Sequence, residues 1–414
     1  MNISIQQINE AAKRLEGVAH KTPLQYSKRL SEKYGANIYI KREDLQDVRS
    51  YKIRGAYNKI ASLNDAEKKR GVVAASAGNH AQGVAQACSA LKIHGTIFMP
   101  VVTPLQKIER VTHFDGKYIK VELAGQTYDE AAKAAHEYAE KKNLVYVHAF
   151  DDPLTIAGQG TVGKEILEQM EEKIDAVVAP IGGGGFISGV SSYLKQVDPK
   201  IKVYGAEAIG APTMYESLKQ GKVVTLPKID TFVEGTAVQR AGDLPFKICK
   251  KYLEKVVVIP EGKVCTVMID LYQNEGIIAE PAGALSISAL KSIKDEIKGK
   301  NVVCILSGGN NDITRYPEIM ERSLVYLGRK HYFIVQFAQK PGQLRKFLDE
   351  VLGPNDDIVR FEYMKKTNRE RGAALVGIEL KDSKDLDPLL KRFEKAEFNF
   401  HKLSNKELLY DYII

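Results

Sequence analysis

The stretch SYKIRGAY, residues 50–57, is the first place where this chain could do chemistry, because it sets a lysine between a tyrosine and an isoleucine. Ser50 is a good N-cap, and Ile53, Ala56, Tyr57 and Ile60 follow at i, i+3, i+4 and i+7, which predicts an amphipathic helix with Lys52 in its first turn. A cation at a helix N-terminus opposes the macrodipole, at a cost of about 0.3–1 kcal/mol. Arg49 and Arg54 act in the same direction, and burial beside Tyr51 would add desolvation; all of these favour the neutral amine. A neutral lysine is a nucleophile suited to a Schiff base with a carbonyl. The plain alternative, in a chain with 60 lysines and arginines, is a solvated surface side chain.

Three further segments could complete such a site. Each places a turn directly after a β-branched run. In GVVAASAGNHAQGVAQACSAL, residues 71–91, the run leads into Ser76, Ala77, Gly78 and Asn79 and then a helical pattern. In IDAVVAPIGGGGFISG it leads into four consecutive glycines, Gly182, Gly183, Gly184 and Gly185. In NVVCILSGGNND it ends at Ser307. The free N–H groups of Gly183 to Phe186 could ring an anion, with a helix dipole behind them. No register of the glycine run satisfies G-x-G-x-x-G, so the dinucleotide fingerprint is absent there. GQGTVGKE, residues 158–165, imitates a phosphate-binding P-loop, but Glu165 stands where Ser or Thr is required and no strand precedes it. It reads as an ordinary helix entrance. His80 could be a base or a histidine packed to fix the loop, and the packed reading is preferred. Glu280, before a helix in AEPAGA, could be a cap, an ion-pair partner or a modulator of a nearby ring.

The elements that must position these residues follow from alternation. NIYIK, GVVAAS, GTIFM, KYIKVE, LVYVHAF, IDAVVAPI, KVYGAEA, KVVVIP and NVVCILS read as strands separated by helical patterns, which predicts open, mostly parallel α/β sheets. Ligands then bind outside the carboxyl ends of the strands, where all three turns fall. Near YLGRKHY, residues 326–332, the pattern changes to strand YFIVQF, turn KPGQ, helix LRKFLDEVL, strands IVRFEYMKK and AALVGIEL, helix LDPLLKRFEKA and a weaker tail. That order predicts a small ferredoxin-like module. At 414 residues the chain is expected to hold two or three domains. The formal charge of +8 is spread without a basic stripe, which argues against nucleic acid. No apolar run approaches a membrane span. Four isolated cysteines and no signal peptide suggest a reducing cytoplasm.

Together these motifs resemble the β-family, or fold type II, pyridoxal-phosphate enzymes, and most closely the biosynthetic threonine dehydratases. KREDLQDVRSYKIRGAYNK, SAGNHAQGVA, GGGGFISG, EGTAV, EPAGA and SGGNND occur in family order and spacing over nearly the whole chain. The resemblance implies two open, mostly parallel α/β lobes of the tryptophan synthase β type over residues 1–326 and an ACT-like ferredoxin-like regulatory domain over 331–414. It implies that Lys52 forms the Schiff base with pyridoxal 5'-phosphate and that Gly182, Gly183, Gly184, Gly185 and Phe186 hold the phosphate. Asn79 would meet the ring hydroxyl and Ser307 the pyridine nitrogen. Ser76, Ala77, Gly78, Asn79 and His80 would hold the substrate carboxylate. The implied reaction converts L-threonine, with L-serine as a second substrate, to 2-oxobutanoate and ammonia, Lys52 taking the α proton and the cofactor phosphate protonating the departing hydroxyl. Isoleucine would be the feedback inhibitor, with valine a candidate antagonist, in a homodimer or homotetramer.

One departure stands out. Relatives that bind a divalent cation, serine racemases included, carry Glu, then Ala, then Asp, where this chain has Glu207, Ala211 and Thr213. The missing carboxylate removes a hard ligand of the kind Mg or Ca prefers, so no tightly bound metal is expected. Thr213 and the appended module argue against the alternatives within the fold, a catabolic serine/threonine dehydratase or a serine racemase. From other classes, a nicotinamide-dependent dehydrogenase lacks its fingerprint, and an amino-acid sensor has no use for Lys52, Asn79 and Ser307 together.

Overall fold

The computed structural model describes residues 3–114, 116–365, 369–404, 409 and 413. Its chain divides into two compact units: one runs to Glu261 and resumes over Asp270–Asn311, and the other comprises Gly262–Ile269 and the chain from Asp312 onward.

The first unit holds two sheets. The larger contains β1 (Leu24–Tyr26), β2 (Asn37–Arg42), β7 (Ala176–Pro180), β8 (Lys202–Ala208), β9 (Lys255–Ile259) and β10 (Asn301–Leu306), in the order β1-β2-β10-β7-β8-β9. All neighbours are parallel except the short edge strand β1. The smaller contains β3 (Val72–Ala75), β4 (Gly95–Met99), β5 (Ile119–Leu123) and β6 (Val145–Tyr146), all parallel, in the order β5-β4-β3-β6. Every residue of β3 and of β7 is buried, as expected for parallel strands covered on both faces.

Strand order decides where the site can be. β7 leads outward to β8 while its other neighbour, β10, lies beside β2, so the turns after β7 and β10 flank a crevice. In the small sheet β3 leads to β4, whereas β6 joins on the opposite side. Both are topological switch points, where open α/β sheets bind ligands. The turns that follow these strands are the glycine run, the Ser307 turn, the Ser76–Asn79 turn and the segment from Val147 to Phe150.

Three helices pack this unit behind the site. Helix Pro153–Gln169 contains GQGTVGKE in its interior, so that segment is no helix entrance. Its glycines mark close helix crossings: a Cβ on Gly158 would lie 2.3 Å from the Arg54 carbonyl in helix Lys52–Ala61, and one on Gly160 would lie 2.8 Å from the Gly189 carbonyl in helix Gly185–Val197. Where these helices meet, Arg54 is 1% exposed and Lys41 and Glu43 are fully buried. Arg54 pairs with Glu43 at 2.8 Å and with Glu165 at 2.6 Å, and Lys41 pairs with Glu165 at 2.6 Å. The acid that disqualifies the segment as a P-loop thus has a structural partner on each side.

The second unit contains β11 (Lys330–Ala338), β12 (Asp357–Tyr363), β13 (Arg371–Glu379) and β14 (Asn399–Lys402), antiparallel in the order β12-β13-β11-β14. With helices Gln343–Glu350 and Leu386–Lys395 the order is βαββαβ, the ferredoxin-like arrangement. The weak tail supplies the last strand, which is short, lies on an edge and alternates little in polarity. Lys366, at the end of the strand expected from IVRFEYMKK, lies outside the described residues. Phe333, Val335 and Phe337 of β11 pack with Phe347 and Phe393 of the helices to form the core.

Candidate active site

Lys52 opens helix Lys52–Ala61, whose N-cap is Tyr51 rather than Ser50. Ser50 forms a backbone bridge with Gly308 instead, and its hydroxyl is buried without a partner among the described residues. Tyr51 ties the lysine to two of the turns. Its N–H donates to the Ser307 carbonyl at 3.2 Å, and its ring stacks on Phe186 with centroids 3.9 Å apart. The Lys52 amine is half-buried and donates to the Ala149 carbonyl at 3.3 Å. Burial pushes its pKa down from 10.5 to about 8, with Glu280 pulling the other way. The neutral amine that the sequence argues for is therefore favoured mainly by desolvation.

The glycine turn leads into helix Gly185–Val197, with Gly184 as N-cap at φ +90°. The Phe150 ring closes one side: a Cβ on Gly183 would come within 2.3 Å of it, and one on Gly185 within 2.4 Å of the Phe150 carbonyl. Only glycine permits that approach. Gly183, Gly184, Gly185 and Phe186 are buried, yet among the described residues no protein acceptor takes their N–H groups. Buried donors of this kind, at a helix start, call for an anion.

The Ser76 turn is held by its own hydroxyl, which accepts the Gly78 N–H at 3.2 Å. Helix Asn79–Leu91 follows, crossing the lysine helix so closely that a Cβ on Gly83 would lie 3.0 Å from the Lys52 carbonyl. Asn79 Nδ2 donates to Glu280 Oε1 at 2.7 Å. His80 is buried, its Nε2 2.8 Å from the Val147 carbonyl, which accepts only, so Nε2 carries the hydrogen. Burial and the Lys52 charge lower its pKa to about 3. A neutral, packed histidine that fixes the loop is what this geometry supports. Glu280 occupies the N-cap position of helix Pro281–Ala289 without a capping bond, and burial raises its pKa to about 7.

The segment from Val147 to Phe150 was expected to continue a strand. β6 stops at Tyr146 because the following groups turn to the site: the Val147 carbonyl takes His80, the Ala149 carbonyl takes Lys52, and Phe150 walls the glycine turn. No motif signals these roles, since two are played by main-chain oxygens. Glu207 is buried, and its carboxylate caps helix Thr213–Gln220 by accepting from the Met214 and Tyr215 N–H groups, each at 2.8 Å, and from the Thr213 hydroxyl at 3.4 Å.

Lys52, Asn79, the glycine turn and Ser307 are thus brought to one crevice. A half-buried amine beside unclaimed amide donors fits a phosphorylated aldehyde, and these residues would hold pyridoxal phosphate there.

Comparison with known proteins points to the same cofactor. The model of the family described as "Pyridoxal-phosphate dependent enzyme" matches residues 15–308. The model described as "C-terminal regulatory domain of Threonine dehydratase" matches residues 321–413. The chain is 52% identical over 412 residues to the L-threonine dehydratase biosynthetic IlvA of Halalkalibacterium halodurans, covering 100% of this chain and 99% of that protein. It is 50% identical to the Bacillus subtilis protein of the same name, covering 100% and 98%. Among solved structures, the processed form of threonine deaminase isoform 2 from Solanum lycopersicum shares 40% identity and a TM-score of 0.73, covering 77% of this chain and 87% of that one. Maize serine racemase shares 31% identity and a TM-score of 0.72, covering 79% and 99%. By sequence along its full length, and by a crevice whose buried donors suit the cofactor, the chain belongs to the biosynthetic threonine dehydratases, pyridoxal-phosphate-dependent lyases with a C-terminal regulatory domain.

Proposed function

We propose that this protein deaminates L-threonine to 2-oxobutanoate and ammonia, accepts L-serine as a second substrate, and is feedback-inhibited by isoleucine. Catalysis belongs to residues 1–326 and regulation to residues 331–414, in a cytoplasmic homodimer or homotetramer. Serine is expected to turn over because one methyl group changes binding by only about 1–3 kcal/mol.

Pyridoxal phosphate, when bound, supplies an aldehyde for the amino group and a ring that takes up electron density from Cα. The protein's residues do the rest. Lys52, whose pKa burial lowers to about 8, is the nucleophile toward the aldehyde and, once freed, the base that takes the Cα proton. The N–H groups of Gly183 to Phe186 bind the phosphate, and Asn79 and Ser307 orient the ring. Residues 76–80 hold the substrate carboxylate at a helix start, where His80 serves by packing. Loss of the Cα proton and the β-hydroxyl, as water, leaves an enamine that hydrolyses to the keto acid and ammonia. Glu207, already occupied as a helix cap, is assigned no metal.

The observation that carries this reading is the half-buried Lys52 amine joined through Tyr51 to buried amides without acceptors. Lys52→Ala should lower threonine turnover by about 10³-fold, and borohydride should fix the cofactor to Lys52 in the native protein alone. A variant turning over at a comparable rate would refute the assignment.

A further inference from the structure

A carboxamide can meet the cofactor's ring oxygen in two opposite ways, as donor or as acceptor, and the bonds behind Asn79 decide between them. Asn310 Nδ2 lies 2.7 Å from the Val48 carbonyl oxygen and 2.8 Å from Asn79 Oδ1. A main-chain carbonyl only accepts, so Asn310 must turn its nitrogen to Val48, and its other hydrogen then faces Asn79. Asn79 answers with its oxygen, which directs its nitrogen to Glu280 Oε1 at 2.7 Å. A reversed Asn79 would set donor against donor at Asn310 and acceptor against carboxylate at Glu280.

Given the role proposed for Asn79, we propose that Glu280 and Asn310 are positioning residues that lock its carboxamide in one orientation, leaving the second Nδ2 hydrogen as the group offered to the ring oxygen. The lock is built into the crevice. Glu280 is 7% exposed and its N–H donates to the Gly308 carbonyl at 3.2 Å. A Cβ on Gly308 would lie 2.3 Å from Glu280 Oε1, so the carboxylate rests against that glycine. The Asn79 hydrogen bond is the strongest influence opposing the rise that burial imposes on the Glu280 pKa. A contact that can only donate favours the ring oxygen in its ionised form over its hydroxyl form.

The test uses purified holoenzyme and a readout other than turnover: the ratio of the two visible absorption bands that report the ionised and protonated ring oxygen, together with the rate of cofactor loss to a carbonyl scavenger. Loss of one hydrogen bond to a charged acceptor corresponds to about tenfold, so Asn310→Ala and Glu280→Ala should each lower the ionised fraction relative to the protonated one by about that factor and speed cofactor loss. Glu280→Gln still presents an oxygen to Asn79 and should keep the native ratio or exceed it. Asn310→Asp, which fills the same volume but can only accept, should lower the ratio as Asn310→Ala does; it serves if the alanine variant does not fold. A native ratio in the Asn310 and Glu280→Ala variants, with Asn79→Ala altered, would overturn the positioning role alone. A native ratio in Asn79→Ala would overturn the role of Asn79 itself.

Discussion

Lys52 keeps its amine in a crevice where burial opposes the charge and Glu280 favours it. With the pKa near 8, roughly one amine in ten is neutral at pH 7, far more than for a solvated lysine. Uptake of pyridoxal phosphate by cofactor-free protein should therefore accelerate as pH rises from 6 and level off above about 8, which stopped-flow absorbance can follow. Stability has the same sign. The folded chain releases this proton near pH 8 and the unfolded chain near 10.5, so the unfolded state holds more protons in between and stability should rise with pH across that window. Lys52→Met should flatten that slope in urea titrations of the cofactor-free protein. The direction of the lysine's shift was legible in the sequence, but its cause is burial, which was suggested only by the neighbouring Tyr51, and not the cationic neighbours. Phe150 was not legible, because its contact is with glycines far along the chain. Glu280 stayed open among three roles until Asn79 was seen to donate to it.

The lysine helix is seated by charge as well as by apolar packing. Arg54, two residues beyond Lys52, is buried among Glu43, Glu165 and Lys41. Removing one member of such a network leaves the others buried and uncompensated, which costs about 3–5 kcal/mol. Arg54→Met should lower stability by that amount in chemical denaturation and reduce cofactor retention along with it. Most strands were readable at this scale because parallel strands buried on both faces are nearly continuous apolar runs. The exceptions share a cause. β1 and β14 are edge strands of three and four residues, too short for a period to register. GQGTVGKE misled for a different reason: its glycines serve helix crossings, and spacing within one helix does not reveal the partner.

Across the molecule, the chain forms two compact units, and a pyridoxal-phosphate enzyme model matches residues 15–308 while a regulatory-domain model matches 321–413. A chain ended at Leu327 should turn over threonine without responding to isoleucine, whereas the full-length protein should be inhibited; inhibition that persists in the shortened chain would place the effector site elsewhere. The two architectures were visible in the sequence as a change from strands alternating with helices to βαββα. How an effector signal is carried was not, since that depends on contacts no periodicity encodes.

Tyr51 hangs its amide on one turn and lays its ring on another. If Lys52 and the tetraglycine bend have the roles proposed for them, anything that settles or disturbs the bend is felt one residue away from the reactive nitrogen, so grip on the cofactor's anionic tail and aim at its aldehyde cannot be tuned separately. A trimmed ring at position 51 would slacken both together.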